Sequence, residues 1–409
     1  LAHGAASDRT LGCEGEDLEG VVSARDVVNW YNGHPDYVDF ARQLRLEDVT
    51  DVVVVGQGNV AIDCARVLVK GTQPSGGEAL LPTDIADHAR ESIANSTIRR
   101  ITLAARRSHV QAACTIKELR EVSRLPRSRL VTDASEMSMG DTEANREEAL
   151  AARPRRRLTE LIESLPRIDA IGEQWGEGAL KEEAQARGAG PDDVVETEIC
   201  LRYLVQPLRM VADATGKRVQ SVRFGRSLMF GSAGEQRVEL DARGDGRALC
   251  AHDSVESDEN VLDIPAQLVV TSVGYQCVGL PGVPFCSKRA VVPSEAGRVV
   301  NPADDGPGDK IQPGLYVAGW LKRGPTGIIG TNIPDAKETA MSVLADLVSL
   351  RDSQQMVTPK EGLAFPAAVS WEDYLRIQAA EERAGRASNP PRPRVKFVSL
   401  AEMLDVAKK

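Results

Sequence analysis

Four consecutive valines, Val52-Val53-Val54-Val55, leave no polar face, so the run predicts a strand buried on both sides of a parallel sheet. It breaks at Gly56, and apolar residues return at helical spacing as Val60, Cys64, Val67 and Leu68, with Gly71 and Pro74 as stop signals. Ile101-Thr102-Leu103-Ala104-Ala105 predicts a second strand, ending on Arg106-Arg107-Ser108, and Gln267 to Tyr275 predicts another buried parallel strand. From Ile199 to His252 the pattern changes to alternation and turns, through Leu201, Tyr203, Val205, Val219, Val222 and Phe224. That change predicts an antiparallel sheet inserted within the parallel one. Gly314-Leu315-Tyr316-Val317-Ala318 is a last short strand, followed by a glycine-rich bend and a helix over about residues 334–350.

Polar stretches fill the gaps. Ser23 and Asp26 have capping-box spacing ahead of a short helix that ends at Asn32-Gly33-His34-Pro35, where His34 reads as a loop residue. Residues 71–98 hold a polar loop and one helix, and 133–150 are acidic enough to be read as a mobile loop. Residues 175–198 read as an insertion, and everything beyond 350 as a polar, proline-containing tail. The expected fold class is α/β, with a Rossmann-like parallel sheet.

The strand–turn–helix around Gly56-Gln57-Gly58-Asn59-Val60-Ala61 suits a dinucleotide. Gly56 permits the tight turn, Gly58 admits a pyrophosphate to the backbone amides, and Ala61 allows close helix packing. An anion is favoured at the following helix N-terminus by its free N–H groups and dipole. An NAD-type fold places Asp or Glu at the end of the second strand. Arg106 and Arg107 stand there instead, suiting the 2′-phosphate of NADP, with a solvated basic strand end as the competing reading. Thr115 and Glu118 have capping-box spacing, so Glu118 on residue type alone is structural. Arg153-Pro154-Arg155-Arg156-Arg157 is either a solvated face or a docking patch. Gly324, Gly327 and Gly330 beside a helix start can bring amides onto a flavin or its phosphates.

Composition removes other classes. At 409 residues the chain has room for two or three domains. A formal charge of −10 and 4% aromatics argue against nucleic acid as a general partner. Seven cysteines lie scattered without CxxC or metal-type spacing, and no histidines pair as HxxxH, so reduced thiols and no metal site are expected. No apolar run approaches the ~20 residues of a membrane span.

Taken together these segments resemble the adrenodoxin reductase family, the NADPH–ferredoxin reductases of mitochondria and some bacteria. The resemblance rests on Ser23-Ala24-Arg25, Trp30 to Pro35, Gly56 to Ala61, Arg106-Arg107, Thr115 to Glu121, Arg155 to Leu161, Ser272 to Tyr275 and Gly319 to Gly330, in family order. It implies an NADP domain inserted into an FAD domain: residues 1–12 ending an N-terminal FAD segment, 13–275 binding NADP, 276–350 completing the FAD domain, and 351–409 a tail. It implies NADP contacts at Gly56, Gln57, Gly58, Asn59, Val60, Arg106, Arg107 and Glu118, and FAD contacts at Trp320, Gly327, Ile328 and Ile329, with Gly327 also facing the nicotinamide. Arg153 and Arg157 would dock an acidic ferredoxin- or adrenodoxin-type iron–sulfur protein. The mitochondrion is the implied compartment, and the cytoplasm otherwise.

Departures accompany the resemblance. Ser108-His109 stands in place of an expected glycine-proline pair, and Cys114 in place of an aromatic. The family's strand followed by GxGxxG does not occur in the sequence, which opens at Leu1 as if within the FAD domain, so weak FAD retention is expected of this chain alone. Two alternatives stay open: a related flavoprotein reductase with another acceptor, for which disulfide chemistry lacks its CxxC, and an NADP-binding fragment without catalysis.

Overall fold

A computed structural model of the chain describes residues 1–72, 79–168, 196–240, 261–301, 310–327, 329–352 and 369–408. The chain divides into two compact units, one of Leu1–Arg9 with Val273–Ala368, the other of Thr10–Ser272 with Val369–Lys409.

The larger unit is built on the valine strand. Among the described residues its sheet has seven strands: β2 (Val21–Ser23), β12 (Leu268–Thr271), β3 (Asp51–Val55), β4 (Arg100–Ala104), β7 (Thr197–Arg202), β5 (Ser128–Asp133) and β6 (Arg167–Ile168), in that spatial order. Every neighbouring pair is parallel, with Val52 opposite Ile101 and Val55 opposite Ala104. Val52 to Val55 are all buried. Each such valine contributes roughly 1.5–3 kcal/mol over leaving it in water, which is why this featureless run sits centrally. The helix Asn59–Thr72 follows it, burying Ala61, Ile62, Cys64, Ala65, Leu68 and Val69.

Several expectations are corrected. Gly71 is the last residue but one of that helix as described, and it lies so close to the helix Asp87–Ala94 that a Cβ there would stand 2.1 Å from Ile93 Cγ2. Pro74 lies outside the described residues. Thr197–Arg202, read as the start of the antiparallel insertion, is a fully buried parallel strand, and the antiparallel sheet is formed by β8 (Val205–Ala212), β9 (Val219–Phe230), β10 (Arg237–Leu240) and β11 (Val261–Pro265). Most of the stretch 175–198 lies outside the described residues.

The acidic stretch 133–150 is not a loop. It forms the helices Ala134–Met139 and Glu143–Leu150, started by Asp133 and Thr142, whose side-chain oxygens accept from Glu136 N at 3.0 Å and Asn145 N at 3.2 Å. Its buried acids have internal partners. Glu136 is fully buried and accepts from Arg202 Nε (2.8 Å), Arg226 Nη1 (2.8 Å) and the Tyr203 amide (2.8 Å). Replacing Arg202 with methionine strips a buried carboxylate of its main partner. This is expected to cost ~3–5 kcal/mol, read as a lower midpoint in urea unfolding with an unchanged slope.

The residues after 368 are a second departure from the sequence reading. Ser370 and Asp373 form a reciprocal capping box on the helix Trp371–Ala387, and Leu400–Ala407 is helical too. This segment is fastened to the larger unit, with Arg392 on Asp87 and the Ile85 carbonyl (3.0 Å), and Lys396 on the Asn32 carbonyl (3.2 Å). Its apolar residues are too dispersed to announce that packing.

In the smaller unit β1 (Ser7–Asp8) pairs with β13 (Tyr275–Gln276), and β14 (Ser294–Glu295), β15 (Arg298–Asn301) and β16 (Lys310–Tyr316) form an antiparallel sheet. The long helix Asn332–Asp352 is latched to it where Arg298 and Tyr316 OH both bond to Asp346, each at 2.8 Å. Cys277, Val292, Val299, Val317 and Leu321 form the buried core.

Candidate functional site

The C-terminal ends of β3 and β4 lie side by side, and the chain leaves both in turns that meet. Gly56 donates its N–H to the Ala104 carbonyl at 2.8 Å and has φ +128°, and a Cβ there would stand 2.3 Å from the Ser272 carbonyl oxygen. Gly56→Ala therefore combines strain with collision, and a loss of stability well above ~1 kcal/mol is expected in thermal or urea unfolding. Gly58 is different: a Cβ there would meet nothing within 4 Å, so the space over the turn is open to a ligand. Gly58 also bridges to Ala113, and Asn59 Oδ1 accepts from Thr115 N at 2.8 Å, which draws the segment after β4 against the turn. Val60 is half-buried at the start of the helix.

Gln57 has a role that its motif position does not reveal. Its side chain is 6% exposed and donates through Nε2 to the carbonyls of Leu103 and Arg202, both at 2.9 Å. It ties together the ends of β4 and β7, leaving its backbone to face a ligand. Asp63, one turn into the helix, accepts from Tyr31 OH at 2.8 Å and pairs with Arg66.

Arg106 and Arg107 are exposed, and among the described residues neither has an ion-pair partner. Their turn is held from beneath, where Leu204 N donates to the Arg107 carbonyl at 3.1 Å and Ala105 N to the Arg202 carbonyl at 2.9 Å. The capping-box expectation for Thr115 and Glu118 is corrected: Thr115 makes no side-chain cap bond to the helix Ile116–Val122. Glu118 Oε2 is buried and has no hydrogen-bond partner among the described residues, an arrangement that costs free energy until something donates to it.

The arginine run belongs to the helix Arg153–Glu163, not to a segment preceding one. Arg155 is bonded to Glu148 and Arg156 lies 3.4 Å from Glu160, while Arg153 and Arg157 are exposed and have no ion pair among the described residues. Arg157 also lines a cavity of about 370 Å³ with Ile116, Lys117, Arg120, Glu121 and Arg124. Lys117 and Arg120 on that helix and Arg124 just past its end escaped the sequence reading, although the spacing of three between the first two is the signal of one helix face.

In the smaller unit Trp320 stacks on Tyr275 with ring centroids 5.8 Å apart. Gly327 has φ +84°, Ile329 is 90% exposed, and a Cβ on Gly330 would meet nothing within 4 Å, which leaves an open ledge ahead of the helix at Asn332. Ile328 lies outside the described residues.

No group of His, Cys, Asp and Glu able to hold a metal occurs among the described residues, and their six cysteines are all free. Burial pushes the Cys114 thiol up to about 11, so it is protonated and unreactive at neutral pH. No described helix is long and apolar enough to cross a membrane.

The chain is 35% identical over 416 residues to the mitochondrial NADPH:adrenodoxin oxidoreductase of Salvelinus fontinalis, covering 100% of this chain and 72% of that protein. It is 34% identical over 417 residues to NADPH-ferredoxin reductase FprA of Mycobacterium tuberculosis, covering 99% and 77%. The solved structure of that FprA in complex with NADPH superposes with a TM-score of 0.75 at 30% identity, covering 100% of this chain and 78% of that one. No protein-family profile matches the chain.

Proposed function

Since the chain belongs to the adrenodoxin reductase family of NADPH–ferredoxin oxidoreductases, we propose that it passes electrons from NADPH through FAD to a ferredoxin- or adrenodoxin-type iron–sulfur protein. The observation that carries the nucleotide half of this reading is the meeting of two turns. The open Gly56–Gly58 turn stands beside a segment bearing two arginines and one carboxylate oxygen that have no partner among the described residues. The backbone from Gly56 to Val60 would take the pyrophosphate at the helix N-terminus, Arg106 and Arg107 the 2′-phosphate, and Glu118 a donor group elsewhere on the nucleotide. Trp320, Gly327, Ile328 and Ile329 would hold FAD, for which the glycine-rich ledge and exposed Ile329 offer amides and an apolar face. FAD held there would supply the hydride-accepting and one-electron chemistry, so no side-chain nucleophile is needed and this chain's residues bind and orient.

Arg153 and Arg157 would dock the iron–sulfur partner, supported by their lack of ion pairs among the described residues and by Lys117, Arg120 and Arg124 beside Arg157. The relatives from fish and mouse are mitochondrial by name and the mycobacterial one is bacterial. The reading here is the mitochondrion, with the bacterial cytoplasm as the other possibility.

The test is anaerobic titration of the full-length flavoprotein with NADPH, followed by turnover with an acidic ferredoxin and cytochrome c. Bleaching of the flavin band by NADPH and ferredoxin-dependent reduction of cytochrome c are expected. Nucleotide binding in a colourless, inactive protein would instead favour a non-catalytic binding module.

A further inference from the structure

The segment 133–150 contains a buried polar junction on which four parts of the larger unit converge. Asn145 is 2% exposed, and its Nδ2 donates to Ser108 Oγ at 3.0 Å and to the Gly140 carbonyl at 2.7 Å. Ser108 Oγ in turn donates to Gln111 Oε1 at 2.8 Å. The Gln111 amide donates to Asn145 Oδ1 (2.9 Å) and Glu148 Oε2 (3.0 Å), and Gln236 donates to the same two oxygens at 2.7 and 3.1 Å. Gly234 N adds a third donor to Glu148 Oε2 at 3.2 Å, while Glu148 Oε1 accepts from Arg155 Nη1.

Two features give this junction direction. Ser108 directly follows Arg106 and Arg107, so Ser108 and Gln111 set the path of the chain leaving those arginines. Arg155 lies between Arg153 and Arg157 on their helix. Glu148, 5% exposed, touches both sides, a different oxygen serving each, and His109 Nε2 with Glu163 Oε1 at 3.5 Å is a second link between the same two segments. With three donors on Oε2 and a guanidinium on Oε1, only the ionised acid fits. Burial alone would raise its pKa, yet the bonds from Gln111, Gly234, Gln236 and Arg155 hold it below the usual glutamate range.

We propose that Glu148 is a positioning residue shared by the two sites, with Oε2 fixing the turn after the nucleotide arginines through Gln111 and Oε1 fixing the partner-facing helix through Arg155. This inference rests on the roles proposed above for Arg106, Arg107, Arg153 and Arg157. It adds a residue that contacts neither ligand and on which both depend.

The two oxygens can be separated by mutation. In Glu148→Gln the remaining carbonyl oxygen still serves Gln111, Gln236 and Gly234, while the amide nitrogen faces Arg155 without charge. Glu148→Ala removes both sides, and Gln111→Met cuts the nucleotide side alone. Binding of 2′,5′-ADP and 5′-ADP to the full-length protein is measured by calorimetry, and ferredoxin-dependent turnover is measured against ionic strength. In Glu148→Ala the preference for 2′,5′-ADP over 5′-ADP is expected to fall ~10-fold, the scale of one charge-assisted hydrogen bond. In the same variant low-salt turnover with ferredoxin is expected to fall by about threefold or more. Glu148→Gln should retain the 2′-phosphate preference and lose the turnover advantage, whereas Gln111→Met should do the reverse. A purely structural role would weaken both nucleotides equally in Glu148→Ala and would not split in the other two variants, and either result overturns the proposal. Should Glu148→Ala fail to fold, an unchanged preference in Gln111→Met overturns it. Arg106→Ala with Arg107→Ala is run alongside. A preference surviving there refutes the underlying assignment, whereas a preference lost only there refutes the positioning role.

Discussion

Replacing Arg106 and Arg107 together with alanine is expected to reduce the preference for NADPH over NADH by ~100-fold or more. Each charge-assisted hydrogen bond to a phosphate is worth roughly 1.5–3 kcal/mol, and two such bonds are lost. Neither side chain is engaged elsewhere among the described residues, so no internal ion pair has to break before they meet a phosphate. Both are exposed, and their removal is expected to leave the unfolding midpoint within the ±0.5 kcal/mol typical of surface substitutions. NADH affinity should stay close to that of the parent, because the pyrophosphate turn and Glu118 are untouched. Dissociation constants for the two nucleotides, measured at one fixed ionic strength, decide the matter. A double variant that still strongly prefers NADPH would show that the 2′-phosphate is read elsewhere.

The second large effect is on the partner. Arg153→Glu with Arg157→Glu reverses two exposed charges on one helix, Arg157 standing beside Lys117, Arg120 and Arg124, in a protein whose net charge is −10. A local positive field on an otherwise acidic surface speeds encounter with an acidic carrier, and it acts on association rate more than on packing. Ferredoxin-dependent turnover is therefore expected to fall by about tenfold or more at low salt. The deficit should shrink as ionic strength rises and the screening length contracts towards ~8 Å and below. Ferricyanide reduction by NADPH does not need that surface and should barely change. An equal loss with both acceptors would mean that the arginines support the fold or the nucleotide site. Arg155 is not equivalent to its neighbours, since its guanidinium is already held by Glu148.

What could be read along the chain was what depends on close neighbours. The valine run, the spacing of Gly56 and Gly58, the return of apolar residues at helical period and the arginines ending β4 are local patterns. They sufficed for an α/β fold, the glycine turn after β3 and the family resemblance. Features that depend on a distant partner were misread or missed. The acidic composition of 133–150 resembled solvent-facing loop, because nothing nearby shows that Glu136 will meet Arg202 and Arg226, or Glu148 meet Gln111, Gln236 and Arg155. Gly71 stands near a helix end by its spacing, and only the tertiary structure has Ile93 filling the space its side chain would need. Glu118 had the spacing of a capping box, and only the tertiary structure leaves its Oε2 buried and without a donor. Hydrophobic period and glycine geometry act over a few residues, so the sequence by itself determined them. The partner of a buried charge is set by which strands and helices fold together, and that choice is made only in three dimensions.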